Sequence, residues 1–181
     1  MRRATLTAAA LLASIAIAGC SSSKAATSAT TPVAAPPAAS SPALATATGD
    51  AKAITAKLAK AIPTLKLTVT YDGTSDPNGR LGRPGQYTSK TAFDDTRVSG
   101  LPKATQDATP GHRDSISYGG TVEVFATEAD ATAWAAFVDG ATKALAGLGA
   151  PDYIYRQGTV VVRVSHLLTA EQAVQYDKAL G

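Results

Sequence analysis

The sequence predicts one α+β domain, a two-layer sandwich of an antiparallel sheet with helices on one face, placed after a signal peptide and a disordered tether. Three observations carry this expectation. From residue 50 onward, stretches with apolar residues every three or four positions alternate with stretches in which they recur every second position, in the order helix, strands, helix, two strands, helix. The chain has 181 residues, of which 45% are apolar, too many for disorder throughout. Its single cysteine rules out a disulfide scaffold, so about 130 residues must hold together by one apolar core.

Residues 1–19 read as a leader. Arg2 and Arg3 form a basic start, and an apolar stretch from Ala8 to Ala18 follows, too short to span a membrane stably. The run Ile17-Ala18-Gly19-Cys20 resembles the lipobox of bacterial lipoproteins. That resemblance implies that the Cys20 thiol is diacylglycerylated and the peptide cut just before it. A twin-arginine export signal is disfavoured, because Ala4-Thr5-Leu6 lacks the aromatic that normally follows the pair.

Residues 20–49 form the expected tether. Positions 21–49 hold ten Ala, six Ser, five Thr and four Pro, with no aromatic and no acidic residue. Such a segment cannot bury enough apolar area to offset its ordering entropy. As a flexible chain it would span roughly 30 Å, and its Ser, Thr and Pro content permits O-glycosylation.

The domain is expected over 50–181. Asp50 caps a helix carrying Ile54, Leu58 and Ile62, which ends before Pro63. Leu65, Leu67, Val69 and Tyr71 then share one face of a strand. A Gly- and Pro-punctuated loop runs from Asp72 to Gln86, Tyr87–Phe93 makes a second strand, and 94–113 reads as loop. Ser115–Ala126 holds a strand or hairpin around Gly119-Gly120 with Val122 and Val124 on the core face. Thr127 and Asp130 approximate a capping box for a helix whose stripe is Trp134, Phe137, Val138, Ala141, Leu145 and Leu148. Tyr153–Arg156 and Thr159–Ser165 pair across Gln157-Gly158, with Val160, Val162 and Val164 inward. Thr169 and Gln172 open a last helix bearing Ala173, Val174 and Leu180. The stretch DPNGRLGRPGQYTSK (76–90), with VVVRVS and TAEQAVQYDKAL further on, is similar to a group of small actinobacterial lipoproteins of uncharacterised function. The resemblance implies a shared fold and surface anchoring, and no activity.

Charge narrows the partners. The formal +3 comes from Arg2, Arg3 and Lys24, since residues 50–181 hold 14 Lys and Arg against 14 Asp and Glu. Nucleic acid, whose binding rests on phosphate neutralisation, is therefore not an expected partner. Catalytic patterns are also missing. Only His112 and His166 could serve as imidazole bases, no G-x-S-x-G elbow exists, and His112 reads as a solvated loop residue and His166 as a strand-end residue. Asp72, Asp76 and Asn78 with Gly79 fall short of a calcium loop, so Asp76-Pro77-Asn78-Gly79 reads as a type I turn and no metal is expected. Zinc spacing is absent. Asp94 and Asp95, adjacent on a strand, would point to opposite faces. Trp134, Tyr153 and Tyr155 sit at core or sheet-face positions.

The expected function is thus non-enzymatic and without cofactor. It is that of a lipoprotein held by its lipid on the extracytoplasmic face of the cell membrane, binding an envelope protein or cell-wall component through its loops. Arg80 and Arg83, three apart in a Gly-rich loop, are the candidate binding residues. Loops of 15–20 residues are uncommon in compact domains unless they have a task. The alternative is a solute-binding lipoprotein of a transport system, which needs two lobes. An envelope hydrolase would need a buried polar cleft holding His112 with Asp94 or Asp114. For the anchor, metabolic labelling with a fatty-acid analogue is expected to tag the wild type and to leave Cys20→Ala unlabelled, since acylation at this position supplies about 0.8 kcal/mol per buried CH₂.

Overall fold

The computed structural model describes residues 49–112, 114–144 and 150–181. The leader, Cys20 and all but the last residue of the tether lie outside the described residues, as do Leu145 and Leu148. Helix α1 (Ala51–Ala61) begins where the Asp50 carboxylate accepts from the Ala53 N–H at 2.8 Å. Strands β1 (Leu65–Thr70) and β2 (Tyr87–Asp95) follow, then a short helix α2 (Pro102–Asp107), a 3-10 turn (Ile116–Tyr118) and β3 (Gly119–Phe125). Helix α3 (Glu128–Ala144), the hairpin β4 (Tyr153–Gln157) and β5 (Val160–Val164), and helix α4 (Ala170–Leu180) complete the domain. The five strands form one antiparallel sheet in the order β1-β2-β3-β5-β4. This is the expected α+β architecture. No helix among the described residues is long and apolar enough to cross a membrane.

Alternation along the central strands sorts the core into two clusters. Val122, Val124, Val160, Val162 and Val164 pack with Phe93 under Ile54 and Leu58 of α1 and Ala173, Tyr176 and Leu180 of α4. The residues between them face the other way. Phe125 and Val161 pack with Tyr87 against Ala131, Trp134 and Val138 of α3. Helices therefore lie on both faces rather than on the one expected, α1 and α4 on one and α3 on the other, because Tyr87, Phe125 and Val161 give the second face an apolar patch for α3 to cover. The helix α3 covers only part of its face, and the remainder of that face stays open beside it.

Two β-bulges decide which side chains reach that second face. Leu67 pairs with Phe93 but Val69 pairs with Ala92, so the extra residue Thr68 turns Val69 and Tyr71 over. Leu67, expected inward, is 41% exposed on this edge strand, and only Leu65 of the strand joins the α1 cluster. Likewise Tyr87 pairs with Phe125 and Ser89 with Val124, which places Tyr87 on the α3 face and Ser89 under α1.

Other boundaries differ from expectation for local reasons. The segment 94–113, expected as loop, contains the end of β2 and also α2, because Pro102 occupies the first turn of a helix rather than interrupting one, and Ala104 is fully buried. The turn between β4 and β5 is Gly158-Thr159, one residue later than expected, with Gly158 at φ +54°. In α3 the buried stripe is Ala131, Trp134 and Val138 alone; Ala141 is exposed and Phe137 is 58% exposed, lying over the Trp134 ring at 5.5 Å. Thr169 and Gln172 make the full reciprocal cap of α4.

At the middle of the sheet, Gly119-Gly120 permits close approach of backbones. A Cβ on Gly120 would stand 2.2 Å from the Arg163 carbonyl oxygen and 2.7 Å from the Phe93 ring. Gly120→Ala is expected to cost about 3 kcal/mol or more, beyond ordinary overpacking because the obstacle is backbone. Gly73→Ala, with nothing within 4 Å of its Cβ, should stay within about 0.5 kcal/mol of wild type when both variants are unfolded in urea.

Candidate functional site

Beside α3, the second face of the sheet floors a cleft of about 780 Å³. Its floor is polar. Thr121 and Glu123 stand two apart on β3, Arg163 is the cross-strand neighbour of Thr121 on β5, and Lys90 that of Glu123 on β2. Its walls come from Tyr71, Pro77 and Asn78 on one side and from residues of 103–117 on the other, with Asp152 and His166 closing one end.

Each wall is fixed by a carboxylate. Oδ2 of Asp76 accepts from the Arg80 N–H at 2.8 Å, the Leu81 N–H at 3.1 Å and the Tyr87 hydroxyl at 2.8 Å. Oδ1 accepts from the Lys90 ammonium at 3.1 Å. Burial pushes the Asp76 carboxyl up, but the Arg80 N–H, the Tyr87 hydroxyl and Lys90 outweigh it and hold the pKa at about 2. The loop 72–86 is thereby folded onto the floor, and Gly79 N–H donates to the Asp76 carbonyl at 3.0 Å, closing the expected turn. The Lys90 ammonium lies 4.8 Å from the Tyr71 ring and 5.2 Å from that of Tyr87. Tyr71 donates its hydroxyl to Asp114, and burial followed by that bond raises its pKa. Opposite, Asp152 accepts from Arg163 at 3.3 Å and pairs with Nδ1 of His166 at 3.3 Å, while Nε2 of His166 meets Asp107, itself paired with Lys103. This relay ties α2 to the end of β5.

The floor is less fully satisfied. Glu123 is 1% exposed and takes the Trp134 indole N–H on Oε2 at 2.5 Å, yet its Oε1 has no partner. The Thr121 hydroxyl and the Arg163 Nε are likewise buried without one. Burial raises the Glu123 pKa against the opposing pull of Arg163, Lys90 and Trp134. A buried polar group left unpaired costs about 1–3 kcal/mol, so three at one spot call for an outside partner.

The sequence candidates fall in several places. Arg80 and Arg83 are exposed and do not line the cleft. The Arg80 guanidinium stacks 5.4 Å over Trp134 and 5.8 Å over Phe137. His112 and Asp114 do share the cleft, but His112 Nδ1 stands 3.6 Å from the Asp114 carboxylate, beyond hydrogen-bond reach. The Ser115 and Ser117 hydroxyls bond each other at 3.0 Å, and no hydrogen bond joins either histidine to a serine hydroxyl among the described residues. A nucleophile and base are thus not brought together there. Asp95 turns to the α1 and α4 face, where burial opposes ionisation but Arg97 and the Tyr176 hydroxyl at 2.7 Å hold its pKa down. Trp134 is buried, and Tyr153 and Tyr155 pack on the larger core cluster. Among the described residues no group of three or more His, Cys, Asp or Glu is arranged to hold a metal ion.

The floor residues Lys90, Thr121, Glu123 and Arg163 escape a reading of the sequence by period, since charged residues at alternate strand positions read as solvent-facing. The signal for Glu123 is its place inside Val122-Glu123-Val124-Phe125. Comparison with protein-family models, with curated proteins and with solved structures finds no match for the chain.

Because the folded pKa of Glu123 lies above the ordinary 4.5, wild-type stability falls as pH rises from 4.5 through the folded value. Glu123→Gln keeps an acceptor for Trp134 without that penalty. Thermal melts are expected to show the variant melting higher than wild type at pH 7 and level with it below pH 4.5; a lower melting point at pH 7 would mean the carboxylate is stabilising.

Proposed function

We propose that this is a non-enzymatic, lipid-anchored protein of the extracytoplasmic membrane face that binds an envelope component in the cleft above the sheet. The observation that carries the binding role is the conjunction of a cleft of about 780 Å³ with three buried, unpartnered polar atoms on its floor. That volume lies within the roughly 300–1,000 Å³ usual for ligand sites. Both long segments singled out in the sequence, 72–86 and 94–113, contribute to its walls, which supports a task for their length. The anchoring rests on the lipobox resemblance at Ile17–Cys20 and on the similarity to small actinobacterial lipoproteins. Arg80 and Arg83 would then serve as a peripheral contact beside the exposed Phe137. A transporter's solute receptor is the less supported reading, because such receptors close two lobes on their solute and this cleft stands on one sheet.

Photo-crosslinking in intact cells tests the site. A photoreactive residue at Gln106, on the cleft wall, should give a discrete product that the same group at Lys178, on α4, does not give. Identical products from both positions, or none from Gln106, would place the binding surface elsewhere.

A further inference from the structure

The cleft floor also carries information about its ligand. Among the described residues, the three Lys and Arg side chains that line the cleft are each neutralised: Lys90 by Asp76, Arg163 by Asp152 and Lys103 by Asp107. An anionic ligand would therefore find no uncommitted cation among these three. A cationic ligand would meet Lys90 and Arg163 on either side of Glu123, the cross-strand neighbours of Glu123 and Thr121 respectively. What the floor does leave open is a set of hydrogen-bond positions of mixed donor and acceptor character. Arg163 Nε–H donates only, the Thr121 hydroxyl donates and accepts, and Glu123 Oε1 accepts, or donates when protonated. Thr121 and Glu123 are 4% and 1% exposed, so these groups are held by the sheet rather than free to turn to water.

From this juxtaposition, and resting on the reading of the cleft as the binding site, we infer that Thr121, Glu123 and Arg163 form a subsite for a neutral polyhydroxylated ligand, a saccharide unit. Vicinal hydroxyls each donate and accept, and two or three of them would satisfy all three orphaned atoms at once without bringing a charge into the floor. A ligand with fewer hydroxyls would leave one atom unpaired and lose affinity accordingly.

The chain supplies its own reporter. Its single tryptophan, Trp134, hydrogen-bonds Glu123 directly, so its fluorescence reads occupancy of this subsite. The full chain, purified in detergent, would be titrated with neutral monosaccharides and disaccharides of hexose, pentose and N-acetylhexosamine type, and with glucuronate and glucosamine as charged counterparts. Saturable shifts are expected from at least one neutral sugar and weaker ones from the charged pair. Thr121→Val, close in shape but lacking the hydroxyl, should weaken binding about tenfold, the loss of about 1.4 kcal/mol. Glu123→Gln, whose oxygen stays on the Trp134 N–H and whose amide N–H₂ then faces the cleft as a donor, should still bind neutral sugars, but more weakly than wild type. Affinity rising from mono- to disaccharide would identify a polymer as the source; equal affinity would identify a free sugar. Response to glucuronate or glucosamine alone, loss of binding in Glu123→Gln with the fold intact by circular dichroism, or no response to any neutral sugar at about 50 mM, well above the millimolar affinities worth about 4 kcal/mol, would overturn the saccharide assignment. None of these would by itself touch the binding role of the cleft, which the Gln106 crosslink tests separately.

Discussion

The carboxylate of Asp76 does for the loop 72–86 what a hydrophobic core does for a domain. That loop carries four glycines and two prolines, and its only large aliphatic side chain is that of Leu81, which packs beside α3. Left to itself it would pay closure entropy with little return. Asp76 instead gathers three backbone N–H groups, the Tyr87 hydroxyl and the Lys90 ammonium, and so nails the loop to β2. One wall of the cleft, the neutralisation of Lys90 and the pairing of the buried Tyr87 hydroxyl all follow from that one side chain. A low folded pKa, about 2, keeps it charged through any ordinary acidity.

The two faces of the sheet divide the work of the molecule. One is dry: valines from β3 and β5 meet the apolar sides of α1 and α4, with Phe93 stacked on Tyr176 at 5.5 Å. The other is half dry and half polar, with α3 sealing Tyr87, Phe125 and Val161 and leaving Lys90, Thr121, Glu123 and Arg163 to the cleft. Trp134 stands at the border, its ring in the apolar cluster and its N–H on Glu123. The apolar packing is thus concentrated on the α1 and α4 side, and the unsatisfied polar groups of Thr121, Glu123 and Arg163 belong to residues that line the cleft.

Much of the fold was legible because local signals agreed with tertiary need. The Asp50 and Thr169 caps, the period-two valines of β5 and the glycine turn before it needed no knowledge of the rest of the chain. What escaped were features set by contacts distant in sequence. The bulges at Thr68 and Thr88 obey no local pattern, yet each flips a tyrosine to the opposite face. Phe137 reads as core by spacing, but it stays largely exposed, with the guanidinium of Arg80, more than fifty residues away, 5.8 Å from its ring. The site was hidden for the same reason: Glu123 and Arg163 look like surface charges until β3 and β5, from different parts of the chain, pair and set Arg163 opposite Thr121.

The entry of the chain into α1 has a mechanical consequence. A pull applied through residues before Asp50 is borne first by the Asp50 cap on Ala53 and by the Ala51 N–H on the Ser89 hydroxyl at 2.9 Å, both on the helix-covered face. The load then passes into β2, a central strand zipped to both its neighbours, so it is shared across the sheet rather than peeling an edge. The cleft lies on the far side of that load-bearing layer. Drag on a domain held at its N-terminus would therefore strain the α1 and α4 side first and reach the polar floor only through β2, which carries Lys90.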